Sequence, residues 1–226
     1  MCGRYVLKSS LQRLREAFGI ELQGGNHSET WRPRYNIAPG QVAPVVRTID
    51  GRRHLDMLRW GLIPSWAKEP QLGNRLINAR SETVAEKPAF RAAFRSQRCI
   101  VPADGFYEWQ QQAAGKQPFY IHRKDGALLA IAGLWEHWTA PGTQDVVETF
   151  TILTTEANAW MRPLHARMPV VLQDDALARW LNPRSKSDDL QTLLGQTTEG
   201  GWEAYPVSRA VSSVRNDTED LLERVG

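Results

Sequence analysis

The residue with the most distinctive chemistry in this 226-residue chain is Cys2, which directly follows Met1. Removal of Met1, which the small cysteine side chain favours, would leave an α-amine and a thiol on neighbouring carbons. The amine has a reference pKa of about 7.7–8.0, so a useful fraction of it is neutral near pH 7. Such a terminus can form an imine with an aldehyde and then close a five-membered thiazolidine ring. Taken alone, Cys2 is better explained as an ordinary second residue.

Two further residues are of types that transfer protons. Glu108 lies in the segment DGFYEW at 104–109, where flanking aromatic rings favour partial desolvation and a raised pKa. The alternative is a solvent-facing glutamate on an alternating strand. His165 lies in PLHARMP at 163–169, on a short connection between two prolines. It could act as an acid, a base or a phosphate contact, and by itself a structural histidine is the simpler explanation.

Asn78 and Arg80 share the segment INARSE at 77–82. An asparagine can orient a reacting group through its donor and its acceptor, and an arginine can hold a phosphate in bidentate fashion. The alternative is a turn at Asn78 followed by a helix that Ser81 caps. The five histidines and two cysteines show no metal-ligand spacing, and no glycine-rich phosphate loop occurs. The sequence therefore predicts neither a metal nor a cofactor.

Composition sets broad limits on the function. The net charge of +3 and the pI near 9.0 permit nucleic-acid binding without requiring it. No apolar run reaches the roughly 18 residues of a membrane helix, and the N-terminus does not read as a signal peptide, so we expect a cytoplasmic protein. In a reducing compartment a disulfide between Cys2 and Cys99 is not expected, and Cys99 is predicted to be a core residue.

The elements that must position these residues are mostly strands. Strands are predicted at 42–48, 53–60, 98–102, 106–110, 118–122, 128–135, 146–154, 170–172 and 202–207, the first two about an Asp50–Gly51 turn. Helices are predicted at 10–18, 88–94, 156–161, 188–194 and at a segment that Asp174 or Asp175 caps and that ends near 181. Residues 31–40 and 61–79 are expected to be irregular. The strands do not alternate with helices, so we expect an α+β fold, a mainly antiparallel sheet or open barrel with peripheral helices, in a single domain over 1–226.

Seven segments, in order along nearly the whole chain, resemble the SRAP family (SOS response-associated peptidase), whose members are also called abasic-site processing proteins. They are MCGRY at the start, RYNIAPG at 34–40, RWGLIPSW at 59–66, INARSET at 77–83, RCIVPADGFYEW at 98–109, LHARMP at 164–169 and PVSRAVSSVRN at 206–216.

The resemblance implies a role for each candidate residue. Cys2 is the cross-linking nucleophile, Asn78 an active-site amide, Glu108 a proton-transfer group, and His165 a group that acts on the sugar ring or the leaving phosphate. Residues implied to hold the DNA are Arg4, Pro39, Trp66, Arg80 and, more loosely, Thr154, Ser208 and Arg209.

The implied partner is single-stranded DNA that contains abasic sites, bound by a monomer that associates with the nucleoid and not with a membrane. The implied activity is a covalent thiazolidine cross-link through Cys2, accompanied by self-removal of Met1 and weak lyase activity through the imine.

Two other functions fit parts of the sequence. Class II glutamine amidotransferases also begin Met-Cys-Gly, but Arg4 and Tyr5 replace the expected apolar pair and no Asn-Gly-Glu segment follows. Alternatively, a non-catalytic single-strand binder would use aromatic stacking platforms, for which the candidates are Trp31, Trp60, Trp66 and Tyr35.

Overall fold

The computed structural model describes residues 2–21, 31–195 and 200–226. The described strands are β1 Tyr5–Leu7, β2 Arg34–Ile37, β3 Val42–Ile49, β4 Arg52–Trp60, β5 Asn78–Arg80, β6 Arg98–Ala103, β7 Gly105–Gln112, β8 Gly115–Arg123, β9 Leu129–Thr139, β10 Val146–Glu156, β11 Arg167–Pro169, β12 Val171–Leu172 and β13 Trp202–Pro206. The described α-helices are α1 Leu11–Phe18, α2 Arg91–Ser96, α3 Asp174–Leu181 and α4 Ser187–Leu194. Short 3₁₀ helices span Pro70–Arg75, Arg209–Ser212 and Glu219–Leu222.

Five strands close into a barrel. Strand β3 pairs antiparallel with β4 and β6, β6 with β9, and β9 with β10, and β10 then meets β4 in parallel. At the tip of the β3–β4 hairpin, Asp50 and Gly51 have φ values of 50° and 76°. Two successive positive φ angles are what a type I′ turn requires, and such a turn matches the right-handed twist of the strands it joins.

The second sheet is antiparallel, with the strand order β13-β8-β7-β1-β2. It shares an apolar core with the barrel, and the rings of Tyr5 on β1 and Trp60 on β4 lie 5.4 Å apart between centroids. Both side chains are fully buried, so the start of β1 is held against the barrel wall. This contact fixes the segment that carries Cys2 relative to both sheets.

Strand β10 extends beyond the barrel and gathers two short strands there. Ile152 pairs with Asn78 and Thr154 with Arg80 on β5, while Thr154 also pairs with Pro169 on β11. Segments that are distant in sequence, around residues 78–80 and 165–169, are thereby brought to one end of β10.

The predicted fold class, α+β with a mainly antiparallel sheet and barrel, is confirmed. Helix α1 lies in the predicted segment 10–18. It begins after Ser10, whose hydroxyl accepts from the Arg13 amide, and it ends at Gly19 in the left-handed conformation. The strands predicted from residue 42 to 154 are also found, with ends that differ by a few residues.

Several local predictions are wrong, among them the irregular segment at 61–79, which contains the 3₁₀ helix Pro70–Arg75 and the start of β5. No helix spans 156–161: the pairing of β10 with β11 extends the strand to Glu156, and turns follow, in which the Asn158 side chain accepts from the Met161 amide. Residues 34–37 form β2 inside the segment expected to be irregular. Ser81 precedes turns, so it caps no helix in the described chain. Helix α3 has Gln173 at its N-cap, without a side-chain capping bond, instead of Asp174 or Asp175.

Candidate functional site

Cys2 is fully buried at the entry to β1. The antiparallel pairing of Tyr5 with Phe106 continues toward the N-terminus, since the amide of Tyr107 donates to the Arg4 carbonyl over 3.0 Å. This register runs the first residues of the chain alongside the part of β7 that carries Glu108. Asn78 reaches Cys2 from β5, and its Nδ2 donates to the Cys2 carbonyl oxygen over 2.9 Å.

The surroundings of Cys2 keep its sulfur protonated. Burial raises the pKa of the Cys2 thiol far above its usual range, and the negative charge of Glu108 raises it further. The neutral thiol is therefore the resting form near pH 7. Because the thiolate is the stronger nucleophile, the reaction needs a base close to the sulfur or a change in its surroundings when the substrate enters.

Glu108 is buried on β7, with a side chain that is only 3% exposed. Burial raises the pKa of this carboxyl, and the nearby His165 partly offsets the effect. The prediction of a desolvated glutamate with a raised pKa is supported, and the solvent-facing alternative is wrong. A carboxyl in this state can deliver a proton as well as accept one.

His165 stands beside Glu108, with its Nδ1 3.9 Å from Glu108 Oε1. The same Nδ1 lies 2.9 Å from the backbone nitrogen of Arg167 and 3.0 Å from its carbonyl oxygen. The backbone of Arg167 thus offers Nδ1 a donor when the nitrogen is unprotonated and an acceptor when it is protonated. The imidazole is anchored through that nitrogen in either state.

Strand β5 directs Asn78 and Arg80 to one face, because side chains two residues apart lie on the same side of a strand. Asn78 is half-buried, and its Oδ1 is buried without a hydrogen-bond partner among the described residues. Arg80 is exposed. The amide therefore keeps an acceptor available beside Cys2, while the guanidinium points to solvent at the margin of the same site.

The residues predicted to hold DNA are distributed around this centre. Thr154 is buried opposite Arg80, and Arg4 is half-buried with Nη1 donating to the Gly3 carbonyl over 2.7 Å. Trp66 is 60% exposed, and Pro39 is half-buried.

Ser208 and Arg209 follow β13, the edge strand of the second sheet. Ser208 caps the 3₁₀ helix Arg209–Ser212, and Arg209 donates to the carbonyl of Ala114 at the β7–β8 hairpin. The structure therefore gathers Cys2, Asn78, Glu108 and His165, with Arg80 and Thr154 next to them.

The four aromatic rings that a non-catalytic single-strand binder would use differ in their exposure. Trp60 is 1% exposed and stacks on Phe150 in the core, so it offers no platform in this structure. Trp31 is half-buried and donates through Nε1 to the Ser9 carbonyl. Tyr35 is half-buried, which leaves Trp66 as the most exposed of the four rings.

The site also contains an ion pair, between Arg167 and Glu82, that the sequence did not predict. Arg167 forms a bidentate ion pair with Glu82, with distances of 2.6 and 2.9 Å. Both residues lie inside segments already singled out, Glu82 two residues after Arg80 and Arg167 two residues after His165. Their opposite charges were the available signal, but nothing in the sequence states that the two segments meet.

Among residues 2–21, 31–195 and 200–226, no group of three or more histidine, cysteine, aspartate or glutamate side chains is arranged to hold a metal ion. Over the same residues, no helix has the length and apolar character needed to cross a bilayer.

Known proteins resemble the chain along almost its whole length. A family model described as SOS response associated peptidase (SRAP) matches residues 1–214. The abasic site processing protein YoaM of Bacillus subtilis (strain 168) is 44% identical over 225 residues, which cover 99% of this chain and 98% of that protein. The abasic site processing protein YedK of Escherichia coli (strain K12) is 34% identical over 194 residues, 85% of each chain. A crystal structure of a Bacteroides thetaiotaomicron protein matches with a TM-score of 0.89 at 25% identity, over 99% of this chain and 100% of that one.

Proposed function

The chain belongs to the SOS response associated peptidase (SRAP) family, and from this premise we propose that it processes abasic sites in DNA by capturing them covalently through Cys2. The substrate is single-stranded DNA, and the reactive group is the aldehyde of the ring-opened abasic sugar. The product is a thiazolidine that joins the N-terminal cysteine to the sugar carbon C1′. The adduct shields the strand from cleavage while the lesion persists.

The capture requires two bonds to the same carbon. The α-amine of Cys2, freed from Met1, attacks C1′ to give a carbinolamine, which loses water to become an imine. The thiol then adds to the imine carbon, and the sulfur's proton ends on the nitrogen. Loss of water needs an acid, and sulfur addition needs a base. We assign both steps to Glu108, because burial raises the pKa of its carboxyl and makes it a better proton carrier than an exposed glutamate, and its negative charge, once the proton has left, acts on Cys2.

The observation that carries this proposal is the environment of Cys2. A surface cysteine would need no partners, but this one is fully buried, held at its carbonyl by Asn78 and placed within the field of Glu108. A buried thiol alone is ordinary, but a buried carboxyl beside it is costly, and carboxyls with perturbed pKa values cluster at functional sites. The arrangement fits a nucleophile whose reaction is shielded from water and assisted by a proton carrier.

Met1 must leave before this chemistry begins. Met1 lies outside the described residues, so the proposal rests on the groups around the Cys2 side of the bond. Asn78 fixes the main chain of residue 2 by donating to the Cys2 carbonyl oxygen, and Glu108 and His165, 3.9 Å from each other, are the proton carriers that we assign to this step. Self-removal of Met1 by these groups accounts for the peptidase in the family's name.

The imine also gives access to a side reaction. An imine acidifies the neighbouring sugar proton, so its removal expels the 3′ phosphate by β-elimination. We assign to His165, which lies beside Glu108, the removal of that proton or assistance to the leaving phosphate, and the proton transfers that reverse the cross-link. Because ring closure by the thiol competes with elimination, the lyase activity is weak.

The DNA strand in this proposal crosses the end of β10. Arg80 and Arg4 contact phosphates, Trp66 and Pro39 flank the bases, and Ser208 and Arg209 extend the path, while the buried Thr154 supports Arg80 from the neighbouring strand. The chain acts as a single domain and a monomer in the cytoplasm, and it associates with the nucleoid through the captured strand.

The decisive experiment is a denaturing gel of the protein with a single-stranded oligonucleotide that carries one abasic site. A slow band that survives denaturant is the expected result. Two matched oligonucleotides are the controls, one with an intact base and one with a tetrahydrofuran analogue that lacks the aldehyde. A slow band with the analogue, or none with the abasic strand, overturns the proposal. Glutamine hydrolysis, measured in parallel, tests the amidotransferase alternative.

A further inference from the structure

Glu82 and Arg167 join the two segments that supply Asn78 and His165. Glu82 follows β5, and Arg167 begins β11. Arg167 Nη1 and Nη2 contact Glu82 Oε1 and Oε2 over 2.6 and 2.9 Å, a side-by-side geometry that fixes direction as well as distance. Nη2 also donates to the Thr154 carbonyl over 2.7 Å, so the guanidinium is tied to β10 too.

The backbone of Arg167 in turn holds the imidazole of His165. The nitrogen and carbonyl oxygen of Arg167 both lie within 3.0 Å of His165 Nδ1. Arg167 therefore links the two residues: its side chain pairs with Glu82, and its backbone contacts His165. A displacement of Arg167 moves the anchor of the imidazole directly.

The ion pair between Glu82 and Arg167 stays charged on both sides at neutral pH. Although partial burial raises the pKa of Glu82, the hydrogen bonds and charge of Arg167 bring it below its usual range. The carboxylate is therefore ionised throughout the neutral range. The Arg167 side chain is 16% exposed and that of Glu82 41%, so the strength of the pair rests on its bidentate geometry and not on shielding from solvent.

We propose that Glu82 is a positioning residue, which acts through Arg167 to set the orientation of the His165 imidazole beside Glu108. This inference rests on the proposed function, since it concerns the steps assigned to His165. Glu82 makes no contact with the reacting atoms in this scheme. Its effect belongs to the later steps, elimination and reversal of the cross-link, and not to the first attack by Cys2.

The first test needs no DNA. Ring-nitrogen NMR shifts of His165, assigned with a His165→Gln variant, are compared between the wild type and Glu82→Ala. We expect both ring-nitrogen resonances to move in Glu82→Ala, because the contacts to Nδ1 loosen, and to move less in Glu82→Gln, which keeps one acceptor for Arg167. The matched control is Glu203→Ala on β13, which breaks a 2.9 Å ion pair with Arg224 at similar glutamate exposure. It should leave His165 unmoved.

The second test is kinetic. In Glu82→Ala, strand cleavage and cross-link reversal should slow by up to about 100-fold, the cost of misplacing a reacting group by about 1 Å, while cross-link formation stays within about twofold. Unmoved His165 resonances in Glu82→Ala overturn the inference, whatever happens to DNA affinity. Equal slowing of formation and reversal also overturns it, because Glu82 would then act on the whole site. If the wild type forms no cross-link, the proposed function fails, and the NMR comparison still decides the role of Glu82.

Discussion

Asn78 holds Cys2 by its backbone and not by its sulfur: the side-chain amide donates over 2.9 Å to the Cys2 carbonyl oxygen. The side chain of residue 2 can therefore be changed without breaking this contact. The thiol is separable from the anchor, which makes substitution of Cys2 a clean test of the sulfur's role.

Cys2→Ala should abolish the denaturant-stable cross-link and leave reversible single-strand binding nearly unchanged. The alanine removes the sulfur that closes the ring, while the main-chain contact to Asn78 is retained. The cost in folding stability should be about 1 kcal/mol, typical of a small truncation in a core. Gel mobility, fluorescence anisotropy and thermal unfolding measure the three quantities.

Cys99→Ala is the matched control for that variant, since Cys99 is also fully buried but lies on β6 in the barrel. It should lose a similar amount of stability and cross-link normally. A stable, borohydride-independent cross-link from Cys2→Ala contradicts the assignment. An imine trapped only by borohydride does not, because the amine remains.

Glu108→Gln should slow cross-link formation by about 10²–10⁴-fold, the usual contribution of a positioned acid or base. The amide is nearly the same size as the carboxyl but carries no proton to transfer. Rates of band formation across the neutral pH range provide the measurement. A wild-type rate in the variant at every pH removes Glu108 from the mechanism.

Glu108→Gln should also change how the free energy of unfolding depends on pH. Because burial raises the pKa of Glu108 in the folded protein, the folded state binds more protons than the unfolded state between the unfolded pKa and the raised one. Stability contributed by this group therefore falls as the pH rises through that interval. The free energy of unfolding of Glu108→Gln minus that of wild type should therefore increase from acidic toward neutral pH, which means that the variant becomes relatively more stable. A constant difference between the two proteins contradicts the raised pKa.

Sequence and structure agree best where local patterns decide the outcome. The Asp50–Gly51 hairpin and helix α1 follow from turn and cap residues within a few positions, and both were predicted. Strand β2 was missed because Pro33 and Pro39 flank it and its pairing partner, β1, lies about thirty residues away. The helix expected from residue 156 is replaced at its start by β10, whose pairing of Glu156 with Arg167 on β11 no local period of apolar residues reveals.

In the candidate site, too, local patterns were predicted and long-range contacts were not. The four residues predicted to do chemistry could be named from motifs, and the structure brings all four together. Their grouping depends on β10 pairing with both β5 and β11, a long-range arrangement without a local signature. For that reason the ion pair of Glu82 and Arg167 emerged only from the structure.

Arg80→Ala should weaken DNA binding and reduce its dependence on salt. Arg80 is exposed and lies on the same face of β5 as Asn78, where a phosphate can be neutralised. Removal of one arginine–phosphate interaction lowers the slope of log affinity against log salt by roughly 0.7 on single strands. Arg52→Ala, at the far end of the β3–β4 hairpin, is the control and should change neither quantity. If affinity falls while the slope is unchanged, Arg80 has a structural role.

Retention of Met1 should eliminate stable cross-linking while DNA affinity is preserved. With Met1 attached, the nitrogen of Cys2 belongs to a planar, delocalised amide and cannot form an imine. The thiol alone gives only a hemithioacetal, which reverts readily. An N-terminal extension that resists cleavage is compared with the processed protein, and intact mass confirms each terminus. A verified, unprocessed extension that cross-links at the processed rate excludes the thiazolidine mechanism, and a lysine or the thiol alone then has to be the nucleophile.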